Sequence, residues 1–320
     1  MPTAASAITG HGLQVDASYK QSTYVEKQSG STLSQDRGYH SFTNEAYSLP
    51  NDSTEHQRLN IQDKTWKLTL HGGLHLAPIS KSVTRAVDIG TGTGESALDF
   101  ARAHPQCQVL GTDLSGVKPS SDNFPGNIKF IVANANEEWD FDGQVDFIHS
   151  RMLTLGIRDW SAYFRRAYEN LNPGAWVEVQ ETRFPGSYLN DGGVNGETSI
   201  YKFTQCVRDA TLKLGVDVQA SNHFRELLEN AGFENIRYER ICWAVGDWPK
   251  GVCEKEIGSL TALNVKDYFT PALADSLLVN VLGWSRMQAD EMIEQVRKDV
   301  DDPDIHFYFV FTLCCAQKPG

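Results

Sequence analysis

A doubly wound α/β sheet carrying a helical cap is the fold this sequence predicts, and two observations carry the prediction. Strand-like and helix-like stretches alternate between residues 84 and 182, the arrangement that builds a parallel sheet with helices on both faces. A bare glycine turn, "GTGTG" at Gly90–Gly94, follows the first of those strands and precedes a helix. "RAVDIG" reads as a short buried strand, and "ESALDFARAH" as a helix with Ala97, Leu98 and Ala101 on one face. "CQVLGTDLS", "NIKFIVANA" and "VDFIHSRML" are the second, third and fourth strands. "WSAYFRRAYENL" repeats Trp160, Tyr163, Phe164, Ala167 and Leu171 at helical spacing, "NPG" stops it, and "AWVEVQE" is the fifth strand.

The pattern breaks on either side of this core. Residues 1–36, rich in Ser, Thr, Gln and Gly, read as a flexible arm. After Pro50 and Asn51 a helix is expected, with Leu59, Trp66 and Leu70 recurring along it. "TRFPGSYLNDGGVNG" is a Gly-rich loop, and Ile200–Leu214 is helical. "HFRELLENAGF" is a short helix ended by Gly232, and "ENIRYERICWAV" is a strand. Residues 253–300 are largely helical, with Ser285 and Gln288 spaced for a capping box, and "HFYFVFTLCC" closes as a strand. The segments 37–80, 183–215 and 253–300 form the expected cap on a single domain spanning 37–320.

Composition narrows the function classes. The 320 residues carry a net charge of -12, a poor footprint for gripping a nucleic-acid backbone, so no nucleic-acid partner is expected. No apolar run approaches membrane-spanning length and the N-terminus lacks a secretory pattern, which predicts a cytoplasmic protein without a membrane partner. The six cysteines, Cys107, Cys206, Cys242, Cys253, Cys314 and Cys315, show no metal-ligand spacing and read as reduced thiols.

The glycine spacing selects the ligand. A dinucleotide loop wants G-x-G-x-x-G, but Glu95 stands where the third glycine would fall, and its carboxylate would oppose a pyrophosphate. No Gly-Lys-Ser/Thr follows, so a Walker-type loop is excluded. Asp88, two residues before Gly90, favours a ligand with a cationic part. Asp113 closes the second strand, where an acid accepts hydrogen bonds from ribose hydroxyls. Asn134 and the backbone of Ala135 follow the third strand, where an adenine edge would lie. A ribose, a base and a cation together describe S-adenosylmethionine.

The motifs "VDIGTGTG", "GTDLS", "FIVANANEEW", "DFIHSRML" and "DWSAYFRRAYENLNPGAWVEVQE", the closing "LGWSRMQADEMIEQVRKDV...HFYFVFTLCC", and the N-terminal "RGYHSF", "YSLPND" and "RLNIQDKTWKL" together resemble the fungal LaeA-like class I methyltransferases over residues 37–320. The resemblance implies a seven-stranded Rossmann-like sheet, S-adenosylmethionine as cofactor with S-adenosylhomocysteine as product, and a place in secondary metabolism as tailoring enzyme or regulator. It also implies site residues. Asp88, Gly90, Gly92 and Gly94 match the methionine-side motif, Asp113 and Leu114 the ribose and adenine positions, and Asn134 and Ala135 the adenine edge. His149, Ser150, Arg151 and Met152 match the segment flanking the methyl group, and Tyr39 the segment folding over the cofactor. Asn134 replaces the family's usual Asp, a change its amide oxygen accommodates; Asp63 replaces a frequent His.

A general base is needed only if the acceptor arrives protonated. His40, beside Tyr39, leads the candidates ahead of His71, His75 and His149. Trp243, Trp248, Phe269 and Trp284 are candidates to line an apolar acceptor pocket or to pack the cap. The expected reaction is methyl transfer to a small, rather apolar metabolite. A regulator acting through protein partners and a cofactor-bound rearrangement catalyst would carry the same motifs.

Overall fold

The computed structural model describes residues 49–117, 124–194 and 196–320, so the arm, Tyr39 and His40 lie outside the described residues. The elements run α1 (Ser53–Thr69), β1 (Arg85–Ile89), α2 (Glu95–Ala103), β2 (Gln108–Asp113), β3 (Ile128–Val132), β4 (Val145–Arg151), α3 (Trp160–Asn170) and β5 (Leu171–Thr182). They continue with β6 (Ser187–Tyr188), α4 (Ser199–Lys213), α5 (Phe224–Ala231), β7 (Glu234–Ala244), α6 (Val252–Leu263), α7 (Thr270–Leu273), α8 (Arg286–Asp301) and β8 (Phe307–Gln317).

One sheet holds every described strand, in the order β3-β2-β1-β4-β5-β8, with β6 and β7 both pairing β8. Strands β1 to β5 are parallel, as the alternation predicts. β8 departs from that pattern: it enters antiparallel between β5 and β7. The expected seven strands are present, and the two-residue β6 adds an eighth inside the segment read as loop. The "NPG" turn ends α3 but lies within β5, as an irregularity opposite Val145–Phe147 with Gly174 at φ +79°.

Local chemistry sets the element ends. Asp52 caps α1 through the Glu55 N–H at 2.9 Å, and Asp159 caps α3 through the Ala162 N–H at 2.9 Å. The capping box of Ser285 and Gln288 is formed, and Gly232 ends α5 in the left-handed region. Helix α6 runs on without a break through π-helical turns at Asn264–Phe269 and Ala274–Val279, on either side of α7. The six cysteines are free thiols, and burial pushes Cys107, Cys314 and Cys315 up to about 12. Among the described residues no helix is long and apolar enough to cross a membrane.

The cap joins the sheet through a common core. Trp66 of α1 is 0 % exposed and packs edge-on against Trp243 of β7 and Phe311 of β8, with centroids at 4.9 and 5.5 Å. Replacing it leaves a large void. Trp66→Ala is expected to lower stability by about 3–5 kcal/mol, measured by urea unfolding, while the far-UV spectrum keeps its mixed α/β form.

Candidate active site

The site lies over the carboxyl ends of β1, β2 and β4, where a doubly wound sheet binds ligands. Gly90 and Gly92 take φ of +66° and +60°. A Cβ at Gly90 would collide with the Leu153 side chain, and one at Gly94 would stand 2.9 Å from Phe130 and Val117. The turn is therefore glycine for two reasons, handedness and close approach. Gly90 and Gly92 form the floor of an open cleft of about 900 Å³, with Asp113, Leu114, Asn134 and Ala135 along it. Gly94 instead seats the start of α2 against Phe130.

Asp113 Oδ2 accepts the Gly92 N–H at 2.9 Å, and Oδ1 accepts the Ser115 N–H at 3.1 Å. Burial pushes its carboxyl up to about 6, against these hydrogen bonds. Asp88 lies under the turn. Its Oδ1 pairs with His149 Nδ1 at 2.7 Å and its Oδ2 accepts the Thr91 hydroxyl at 2.6 Å. The sequence places Asp88 beside a cationic ligand group, whereas both its oxygens are already engaged in holding the turn.

Two further expected site residues have other surroundings than the motif implies. Ser150 is 0 % exposed and lines none of the cavities described here, because alternation along β4 turns it to the opposite face from Arg151. The Asn134 amide oxygen accepts the Asn136 N–H at 3.0 Å, so the atom expected to meet adenine is spent on a local turn. Asn134 still lines the cleft. Of the described candidate bases, His75 bonds the Ala77 carbonyl through Nδ1, and His149 Nε2 is buried without a partner. Neither they nor His71 line the cleft.

Helix α1, which carries the "RLNIQDKTWKL" motif, forms the roof. Its Glu55, Arg58, Gln62, Asp63 and Thr65 are buried polar side chains on a helix without a clear apolar stripe. Glu55 and Arg58 pair at 2.8 Å with both side chains 4 % exposed. Asp63 Oδ1 accepts from Arg151 Nη2 at 2.7 Å, and Asp63 Oδ2 pairs with Lys67 at 2.9 Å. Lys67 also reaches Asp99 of α2 at 2.6 Å. Burial raises the Asp63 carboxyl, but Arg151 and Lys67 outweigh it and hold it below the ordinary value. His56, bonded to Asn51 at 3.2 Å, also lines the cleft. A run of charges in a helix is ordinarily a solvated face, so only the i, i+3 and i, i+4 spacing of Glu55, Arg58 and Gln62 signalled this roof.

The cleft has two extensions. A polar one of about 420 Å³ is lined by Asp63, Asp88, Thr91, Glu95 and Arg151. An apolar chamber of about 580 Å³ is walled by Phe184, Trp243, Phe269, Phe309 and Phe311. Met152, at φ +62°, lies in the walls of both the cleft and the chamber. Trp243 and Phe269 thus line a cavity as well as pack, whereas Trp248 stacks on His306 at 4.8 Å and Trp284 packs against the cap core. Among the described residues no cluster of His, Cys, Asp and Glu is placed to hold a metal ion.

A sheet of this order, with a glycine cradle after β1 and an acid closing β2, defines a Rossmann-like protein that binds a nucleoside cofactor over its strand ends. Comparison with known proteins supplies the family. Residues 64–238 match the family model described as "Methyltransferase domain", and the chain belongs to that family. It is 34 % identical to "Methyltransferase pytC" of Aspergillus terreus over 88 % of this chain and 86 % of that one. It is 28 % identical to "Probable methyltransferase tdiE" of Emericella nidulans, over 83 % of this chain and 82 % of that one. It is also 28 % identical to "Secondary metabolism regulator LAE1" of Cochliobolus heterostrophus, over 98 % and 99 %. The chain is an S-adenosylmethionine-dependent methyltransferase with LaeA-like relatives.

The residues fit that cofactor, since the cradle at Gly90 and Gly92 is one that a Cβ would spoil. A pH dependence follows from Asp113. Its folded pKa lies above the ordinary carboxylate value, so the ionised form is lost as pH falls through about 6. In calorimetric titrations S-adenosylhomocysteine affinity is expected to drop across that range, approaching about tenfold per pH unit below it. Asp113→Asn should flatten the dependence, and Asp113→Ala should weaken binding at every pH.

Proposed function

We propose that the chain transfers a methyl group, by in-line displacement, to a small, largely apolar molecule held in the chamber beside the cofactor cleft. The single observation that carries this is the adjacency of the two cavities, which share Arg58, Gln62 and Met152 in their walls. Bound S-adenosylmethionine supplies a methyl group on a sulfonium, a good leaving group. In this reading Asp113 accepts from the ribose hydroxyls, and Leu114, Asn134 and Ala135 line the base. The paired Arg151 and Asp63 face the carboxylate and ammonium of the amino-acid end in the polar extension. Helix α1 covers the reacting centre and excludes water, which strengthens every electrostatic contact beneath it. Much of the acceleration then comes from holding the two reactants at attack distance.

The named methyltransferases among the relatives support an enzyme acting on a metabolite; the regulator among them supports a second reading in which protein partners take over. An aromatic-walled chamber beside the cofactor cleft favours the first.

Calorimetry with S-adenosylmethionine and with S-adenosylhomocysteine tests the site. Micromolar binding of both, about -8 kcal/mol, is expected, and binding of neither overturns the assignment. Mass spectrometry of the product then separates methyl transfer from rearrangement, through the gain of one methyl or none.

A further inference from the structure

Gln62 occupies a position unlike any other in the site. It lines the cleft, the polar extension and the apolar chamber alike. It is 7 % exposed, and its amide has no hydrogen-bond partner among the described residues. The residue is largely buried while its amide faces the cavities, so a ligand group entering them can bond to it.

The remaining polar groups of the chamber narrow what that ligand is. The Thr154 hydroxyl donates to Glu181 at 2.7 Å, the Thr182 hydroxyl to the Val310 carbonyl at 3.3 Å, and the Thr261 hydroxyl to the Ile257 carbonyl at 2.8 Å. Arg58 is balanced by Glu55 at 2.8 Å, so the wall brings no net charge. Three polar groups remain unspent: the Gln62 amide, Trp243 Nε1 and Asn264 Oδ1, the last two buried without partners. Among the described residues no Asp, Glu, His, Lys, Tyr or Cys lines the chamber. A charged acceptor would lose its hydration there without gaining an opposite charge.

We propose that Gln62 orients the nucleophilic heteroatom of the acceptor, and that the chamber selects an uncharged, flat, mostly apolar molecule bearing a hydroxyl. The proposal rests on the methyl-transfer reading and deepens it. Gln62 meets that hydroxyl where the chamber opens toward the methyl donor, and Trp243 and Asn264 offer one donor and one acceptor to the rest of the molecule.

The test uses the full chain saturated with S-adenosylhomocysteine and titrated calorimetrically with three probes: 1-naphthol, 1-methylnaphthalene and 1-naphthoate. The first two are expected to bind, and the carboxylate to bind at least about tenfold more weakly than 1-naphthol. Gln62→Leu should weaken 1-naphthol about tenfold while leaving 1-methylnaphthalene within about twofold. The urea-unfolding midpoint of this variant should stay close to that of the parent, which shows that it is folded. Gln62→Asn, retaining the amide one methylene short, should fall between the two. Equal affinity for naphthol and naphthoate, or no loss of naphthol in Gln62→Leu, would overturn the proposal. Failure of the parent to bind S-adenosylhomocysteine at all would instead overturn the methyl-transfer reading. Binding of S-adenosylhomocysteine without 1-naphthol would overturn this proposal alone.

Discussion

Asp63 stands between Arg151 at the end of β4 and Lys67 on its own helix, and Lys67 in turn reaches Asp99 on α2. This chain of charges fastens α1 across the mouth of the sheet, and the site depends on it. Without α1 in place, Arg58, Leu59 and Gln62 leave the walls and three linked cavities become one shallow surface. The pair is partly buried, so it is screened less than a surface pair, and removing one partner strands the other's charge. Its sign with pH is the usual one for a depressed carboxylate. The stabilisation is present above the ordinary Asp value and disappears as pH falls through the lower folded value.

A second layer of control comes from β5. Glu178, 0 % exposed, accepts the Leu76 and Ala77 N–H groups at 2.8 and 2.6 Å and holds that segment to the sheet. Glu181 accepts the Leu153 and Thr154 N–H groups at 2.9 and 2.8 Å and fixes the turn that carries Met152. Burial pushes Glu181 up to about 7 in spite of those bonds. Glu181 therefore decides where a cleft residue points, and Leu153, pinned by it, is the side chain that makes glycine necessary at position 90.

What was legible in the sequence is what depends on local chemistry. A glycine run after a strand, an acid at the end of the next strand, a capping box and a glycine helix stop each state their backbone geometry in a few consecutive residues. Asp113 and the Gly90–Gly92 turn are of this kind. Ser150 was misplaced because a motif was carried across as a block, while strand alternation sends neighbouring residues to opposite faces. The polar face of α1 was missed because Glu55, Arg58 and Gln62 look like solvated surface until the sheet is beneath them. The antiparallel entry of β8 is a long-range fact with no local signature.

The wide turns at Asn264–Phe269 and Ala274–Val279 contribute one last property. A π-turn holds one residue more per turn than its α-helical neighbour. Deleting a residue from an ordinary helix rotates everything beyond it by about 100°, which would scramble a packed wall. Deleting one from a π-turn converts it to α-helix and leaves the flanking segments in phase. Asn264, Val265 and Phe269 of the chamber wall all belong to the first of these turns. The chain thus carries, in the wall of the apolar chamber, a segment whose length can change by one residue while the helices on either side stay in phase. Chamber shape can diversify by insertion and deletion as readily as by substitution, while the cofactor cradle across the cleft stays untouched.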